Sequence, residues 1–121
     1  MPRFHHVNLG IYEDGLDAQA EFLVGVIGLH RVDPGPELAG VANWFEADDG
    51  TQVHLSKDPE HRPAARAHVA MEFGGELGDV ERRLQAAGYS SDQLEFDGRR
   101  IVICCDPAGN RWELRGDPLP A

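Results

Sequence analysis

Residues 4–11 (Phe4, His5, His6, Val7, Asn8, Leu9, Gly10, Ile11) alternate along the chain. Read as a strand, they place Val7, Leu9 and Ile11 on one face with His5, and His6 and Asn8 on the other. The pattern returns at residues 67–73, where Val69, Met71 and Phe73 share one face and His68, Ala70 and Glu72 the other. After the first strand, Leu16, Ala20, Leu23, Val24 and Ile27 recur at helical spacing, Asp14 is placed to cap them and Gly28 to stop them. Residues 30–33 form a short strand candidate, and 34–40 a loop with two prolines and two glycines. Strands over 41–47 and 51–56 around Asp48, Asp49 and Gly50 read as a hairpin.

Residues 57–65 carry prolines and charges and read as a linker, after which the order repeats. A strand over 66–73 precedes a helix marked by Leu77, Val80, Leu84 and Ala87 and ended by Gly88. A weak strand lies within 89–96, a strong one spans 99–105, Asp106 to Asn110 make a turn, and 111–115 is the last strand before a tail from Gly116. His68 follows His6 by 62 residues, Gly88 follows Gly28 by 60 and Glu113 follows His54 by 59. Such regular offsets predict one strand-helix-strand-strand-strand unit used twice, in modules of about 3–57 and 66–116 within a single domain.

The first and last strand of each module each place a metal-ligand type opposite an apolar face. His54 is flanked by Val53 and Leu55, and Glu113 by Trp112 and Leu114. If the apolar faces pack on the helices, the polar faces line a cleft where His6, His54, His68 and Glu113 converge. Three imidazoles and a carboxylate suit a divalent first-row ion, with zinc-type bonds of about 2.0–2.2 Å. A six-coordinate ion would keep positions for water or a bidentate substrate. His5 has the wrong parity, His30 follows a helix stop and His61 lies in the linker, so all three are expected to be structural or solvated. Arg111 and Arg115 share the parity of Glu113 and are either surface residues or contacts for an anionic substrate.

Composition narrows the classes. The chain has 121 residues, 41% of them hydrophobic, and a formal net charge of −10. That balance argues against nucleic acid and anionic membranes as partners. The apolar run at 22–29 is too short for a membrane span of about 20 residues, and residues 1–6 show no apolar signal region, which together predict a soluble cytoplasmic protein. Cys104 and Cys105 are adjacent, so they point to opposite faces of a strand and are expected to be reduced packing residues. There is no G-x-S-x-G, phosphate loop or dinucleotide fingerprint.

The arrangement resembles the vicinal oxygen chelate superfamily, which includes glyoxalase I, fosfomycin- and bleomycin-resistance proteins, methylmalonyl-CoA epimerase and extradiol dioxygenases. The resemblance covers about residues 4–115. It is carried by His6 to Leu9, Val26 to Leu29, Gln52 to Leu55, Ala67 to Ala70 and, most specifically, Asp106 to Leu114. The stretch from Gln52 through Arg62 to His68 is similar to short bacterial glyoxalase-like proteins. The resemblance implies an α+β fold in which two βαβββ modules form a curved mixed sheet, a half-barrel around a metal cleft with the helices outside. It also puts the family's ligand positions on His6, His54, His68 and Glu113. Two departures stand out: bacterial glyoxalase I usually has a glutamate where His54 stands, and the cationic pocket of fosfomycin-resistance proteins has no counterpart in this acidic chain.

The resulting expectation is a glyoxalase-like metalloenzyme using Zn, Ni, Mn or Fe(II). The metal would chelate oxygens of a small substrate and stabilise an enolate or oxyanion, with Glu113 as base, in a lyase, isomerase or dioxygenase reaction. The alternative is a metal-free dimeric binding protein of the bleomycin-resistance type that sequesters a small molecule, cationic ones included. By analogy with short members of the superfamily, the protein is expected to be a homodimer in which His6 and His54 of one chain meet His68 and Glu113 of the other.

Overall fold

A computed structural model describes residues 1–120. The element order is β1 (His6–Ile11), α1 (Leu16–Glu21) continued by a π-helical stretch (Phe22–Ile27), β2 (His30–Val32), β3 (Asn43–Glu46) and β4 (Gln52–Lys57), then β5 (His68–Gly74), α2 (Leu77–Ala86), β6 (Ser91–Phe96), β7 (Arg99–Cys105) and β8 (Arg111–Pro118). The chain falls into two compact units, Met1–Arg62 and one beginning at Pro63. Each unit holds a four-stranded mixed sheet, in the orders β1-β4-β3-β2 and β5-β8-β7-β6. The two βαβββ modules read from the sequence are therefore present. In each, the first and last strands run parallel and the remaining pairs antiparallel.

In the first unit the core is the helix against the sheet. Phe22, Leu23, Val26 and Ile27 are buried together with Ile11, Phe45, Val53 and Leu55. Burying each large apolar side chain contributes about 1.5–3 kcal/mol. Two expectations change here. Val24 is exposed while Phe22 and Val26 face inward; Phe22, Leu23, Val26 and Ile27 form the buried side of the π-helical stretch. Asp14 does not cap the helix; Gly15 is its N-cap, with no side-chain hydrogen bond. Gly28 ends it as expected, with φ 92° and its amide donating to the Leu23 carbonyl.

In the second unit Leu77, Val80 and Leu84 of α2 are buried with Val102, Trp112 and Leu114, which share one face of the sheet, while Ile101 is buried on the other face with Arg115 as its register partner. Glu81 is buried too, a feature the periodicity did not reveal; it accepts hydrogen bonds from Arg100 on β7 and Gln93 on β6. The tail expected from Gly116 is instead the end of β8, which runs to Pro118. Pro118 pairs with Arg99, and the Leu119 amide donates to the Gly98 carbonyl at 2.7 Å. The backbone at Gly116 is closely covered: a Cβ would lie 3.0 Å from Leu77 Cδ2 and 3.3 Å from the Arg100 carbonyl oxygen. Among the described residues no helix is long and apolar enough to cross a membrane.

Candidate functional site

The parallel pairing of first and last strands fixes the candidate donors. On β1 and β4, His6 is the register partner of Gln52, and His54 lies two residues on. On β5 and β8, His68 is the partner of Arg111, and Glu113 lies two residues on. A two-residue step stays on one face of a strand, so each unit presents one donor pair from the same two register positions. His6 and His54 come together in the first unit; His68 and Glu113 come together in the second. Among the described residues, no cluster of three or more His, Cys, Asp or Glu side chains is gathered for a metal ion.

The first pair is a ring stack. The His6 and His54 centroids are 3.9 Å apart with planes inclined by 15°. Trp44, the register partner of His54 on β3, covers its other side at 4.7 Å, also at 15°. His54 Nε2 is 2.8 Å from Gln52 Oε1, and Gln52 Nε2 donates to Glu46 Oε1 at 3.0 Å. The amide oxygen can only accept, so His54 carries its proton on Nε2 and leaves Nδ1 as the lone pair. His6 Nδ1 shares a proton with His5 Nδ1 at 2.9 Å, which leaves His6 Nε2 available. Burial, and then the neighbouring His6 and His5 imidazoles, hold the His54 pKa below the usual histidine value. Neutral imidazole is the form a metal needs. Stacked rings, however, keep the His6 and His54 lone pairs in nearly parallel planes, so His54 joins a common ion only after turning out of the stack.

The second pair is held by hydrogen bonds and charge. His68 Nδ1 donates to the Arg66 carbonyl at 3.0 Å, which fixes the tautomer and frees Nε2. That nitrogen lies 3.7 Å from Glu113 Oε1. Two donors on one ion, with bonds of ~2.0–2.2 Å, sit roughly 3 Å apart, so a small side-chain adjustment meets the spacing. Arg115 Nη1 donates to Glu113 Oε2 at 2.8 Å. Within the second unit His68 and Glu113 thus suit a divalent ion in donor type and in available atoms.

The turn that delivers Glu113 explains why its sequence is so specific. Asp106 is buried, and its Oδ1 accepts from the Ala108 and Asn110 amides at 3.0 and 2.9 Å. Its Oδ2 accepts from Trp112 Nε1 at 3.0 Å. The carboxylate therefore closes the turn and anchors the residue next to Glu113, while Gly109 supplies the positive φ of 80°.

The remaining candidates take structural places. His61 packs edge-on against Tyr12, with centroids 4.8 Å apart, over Gly10, where a Cβ would lie 2.7 Å from its Nδ1. His30 is exposed, 3.7 Å from Asp48. Cys104 is buried and Cys105 exposed; burial, reinforced by Cys105 and Asp106, pushes the Cys104 thiol up to about 12, so it stays protonated. A hollow of about 800 Å³ in the first unit lies between Leu16, Arg31, Pro34, Gly40 and Lys57, and neither His6 nor His54 lines it. Arg115, read from its parity as a surface residue or an anion contact, instead binds Glu113; Trp44, which the sequence pattern does not single out, stacks on His54.

No protein-family model matches the chain, and no curated protein sequence does either. Solved structures do. A glyoxalase family protein from Bacillus anthracis superposes with a TM-score of 0.84 at 20% identity, over 97% of this chain and 96% of that one. A glyoxalase/dioxygenase from Nostoc punctiforme gives 0.79 at 25% identity, over 96% and 91%. A variant of the fosfomycin-resistance protein FosX from Listeria monocytogenes, bound to Mn(II) and a dihydroxypropylphosphonic acid, gives 0.75 at 16% identity, over 95% and 92%. With its paired βαβββ modules and these structural neighbours, the chain has the glyoxalase fold of the vicinal oxygen chelate superfamily.

Proposed function

We propose that the protein is a divalent-metal-dependent enzyme of the glyoxalase type, acting on a small substrate that offers two oxygens. The observation that carries this reading is the repeated register of the donor pairs: His6 with His54 and His68 with Glu113 occupy equivalent places in the two units. The FosX structure with Mn(II) supports a divalent ion on this fold. His6, His68 and Glu113 would hold it, with His54 able to join after leaving its stack. When bound, such an ion supplies Lewis-acid stabilisation of an enolate or related oxyanion. Glu113 is then the carboxylate placed to take or return a proton on the substrate. In the proposed assembly, a homodimer, the histidine pair of one protomer faces His68 and Glu113 of its partner, giving two equivalent sites. Elemental analysis of protein purified without chelator tests the reading: about one divalent ion per chain is expected. Stoichiometry near zero, unrestored by Zn, Ni, Mn or Fe(II), overturns it.

A second reading has its own support. The His6–His54–Trp44 stack presents aromatic ring faces, and the net charge of −10 suits a cationic guest. A metal-free binding protein would then take a flat cation against the rings. The same elemental analysis separates the two readings.

A further inference from the structure

Glu113 stands at one end of a row of charged groups. Arg115 lies two residues further along β8 and so on the same face. Its guanidinium bridges two carboxylates, Nη1 donating to Glu113 Oε2 at 2.8 Å and Nη2 to Asp97 Oδ2 at 3.1 Å. Asp97 and Gly98 are the two loop residues of the β6–β7 hairpin, between the paired Phe96 and Arg99. Both have positive φ, 57° and 66°, as a type I′ turn demands. The turn therefore places the Asp97 carboxylate over the open end of Arg115. Glu72 on β5 lies further off, 4.0 Å from Arg115 Nε and 3.9 Å from Arg99 Nη1. Arg115 is 17% exposed and Glu113 19%, whereas Asp97 is 66% exposed and His68 41%, so the Arg115–Glu113 pair is the covered middle of the row.

We infer that Arg115, itself braced by Asp97, is a positioning residue that occupies Glu113 Oε2 and leaves Oε1 as the one oxygen offered beside His68. A planar guanidinium can serve two carboxylates at once, which a lysine ammonium on a flexible stem does not reproduce. With Oε2 engaged, Glu113 would offer a divalent ion one oxygen, Oε1, instead of two. The inference rests on the metal reading for its purpose, but its contacts are between protein groups alone and are tested first in protein stripped of metal.

Three variants separate the roles. Asp97→Asn keeps a residue that tolerates positive φ and removes only the charge. Arg115→Lys keeps the charge and removes the fork; Arg115→Gln removes both. In metal-free protein, NMR of wild type should show separately resolved Arg115 Nη resonances and a defined contact between the Glu113 side chain and the His68 ring. Arg115→Lys and Arg115→Gln should lose that contact, and Asp97→Asn should broaden the Nη2 signals with an unchanged melting temperature. In Mn(II) titrations, Arg115→Gln should bind about 10–100-fold more weakly, the usual cost of losing a ligand's supporting partner, Arg115→Lys by a smaller factor, and Asp97→Asn least. An unchanged Glu113–His68 contact in both Arg115 variants overturns the inference, and so does wild-type Mn(II) affinity in Arg115→Gln. Should Arg115→Gln fail to fold, Arg115→Lys and the exposed Asp97→Asn still decide it. If the NMR contacts behave as expected while wild type binds no Mn(II), the metal reading falls and the positioning contacts stand.

Discussion

The two modules use one backbone plan for two chemically different donor pairs. Both place a histidine at the start of the first strand, with its companion two residues beyond the register partner on the last strand. In the first module the pair is held by ring faces, His54 lying between His6 and Trp44. In the second it is held by hydrogen bonds and charge, with Arg66 fixing the His68 tautomer and Arg115 fixing Glu113. The turns before the last strands differ in the same sense. Asp49 is exposed and accepts only from Thr51, through its amide and hydroxyl, whereas buried Asp106 serves two amides and the Trp112 indole. Repetition of a backbone unit thus fixes where donors stand, and the side chains around them decide how firmly they are aimed.

The sharpest way to break this comparison is to remove one donor from each module. We expect His6→Ala and Glu113→Ala each to weaken metal binding by roughly 100-fold or more, as loss of a ligand should exceed the ~10–100-fold cost of losing its supporting partner. Unfolded and refolded together, the two variants should recover about a quarter of the sites, since half of randomly paired dimers are mixed and each of those has one intact site. Recovery of none, with chain exchange demonstrated, would place each site within one chain.

A stability comparison of the two turns comes next. Asp106→Ala strips three donors of a buried carboxylate and should cost about 3 kcal/mol in denaturant unfolding. Asp49→Ala should leave the unfolding midpoint within experimental scatter, because its carboxylate is exposed. Equal effects would erase the distinction between a locked turn and a loose one.

His54→Ala should weaken metal binding by about 10-fold or less, the low end of supporting-partner losses, because in its stack the ring does not point its lone pair with that of His6. A loss as large as that of Glu113→Ala would show that His54 is a full ligand.

The smallest expected effect is in acid. The folded His54 pKa is lowered, chiefly by burial, so the unfolded chain takes up this proton at higher pH than the folded one. Its contribution to metal-free stability is therefore complete above the ordinary histidine value of about 6.5 and is lost as pH falls through the lower folded value. His54→Gln should flatten that part of the pH–stability profile, and an unchanged slope would show that His54 is not the group responsible.

Strand parity made most of this legible before any coordinates. His6, His54, His68 and Glu113 could be placed on one face each because alternation survives in short strands, and Gly28 and Gly88 marked helix ends through their left-handed backbone. What parity could not supply was direction around the strand. It put Arg115 on the face of Glu113 without saying that its guanidinium would reach back to it, and it did not single out Trp44, whose place beside His54 depends on the register of β3 against β4. The helical pattern misjudged Val24 because in an all-apolar run it centred the stripe wrongly: Phe22 and Val26, with Leu23 and Ile27, make the buried side. Buried Glu81 was hidden for a different reason: a charged residue enters a core only when partners distant in sequence, Arg100 and Gln93, meet it there.

X-ray absorption spectroscopy of the metal-loaded protein tests the central claim most directly, because it counts ligand types at the ion. We expect nitrogen and oxygen donors at about 2.0–2.2 Å with the outer-shell scattering of at least two imidazoles, lost in part in His68→Ala and in part in His6→Ala. A first shell of oxygen alone, without imidazole scattering and unchanged in both variants, would contradict the claim that the two modules each bring a donor to one metal ion.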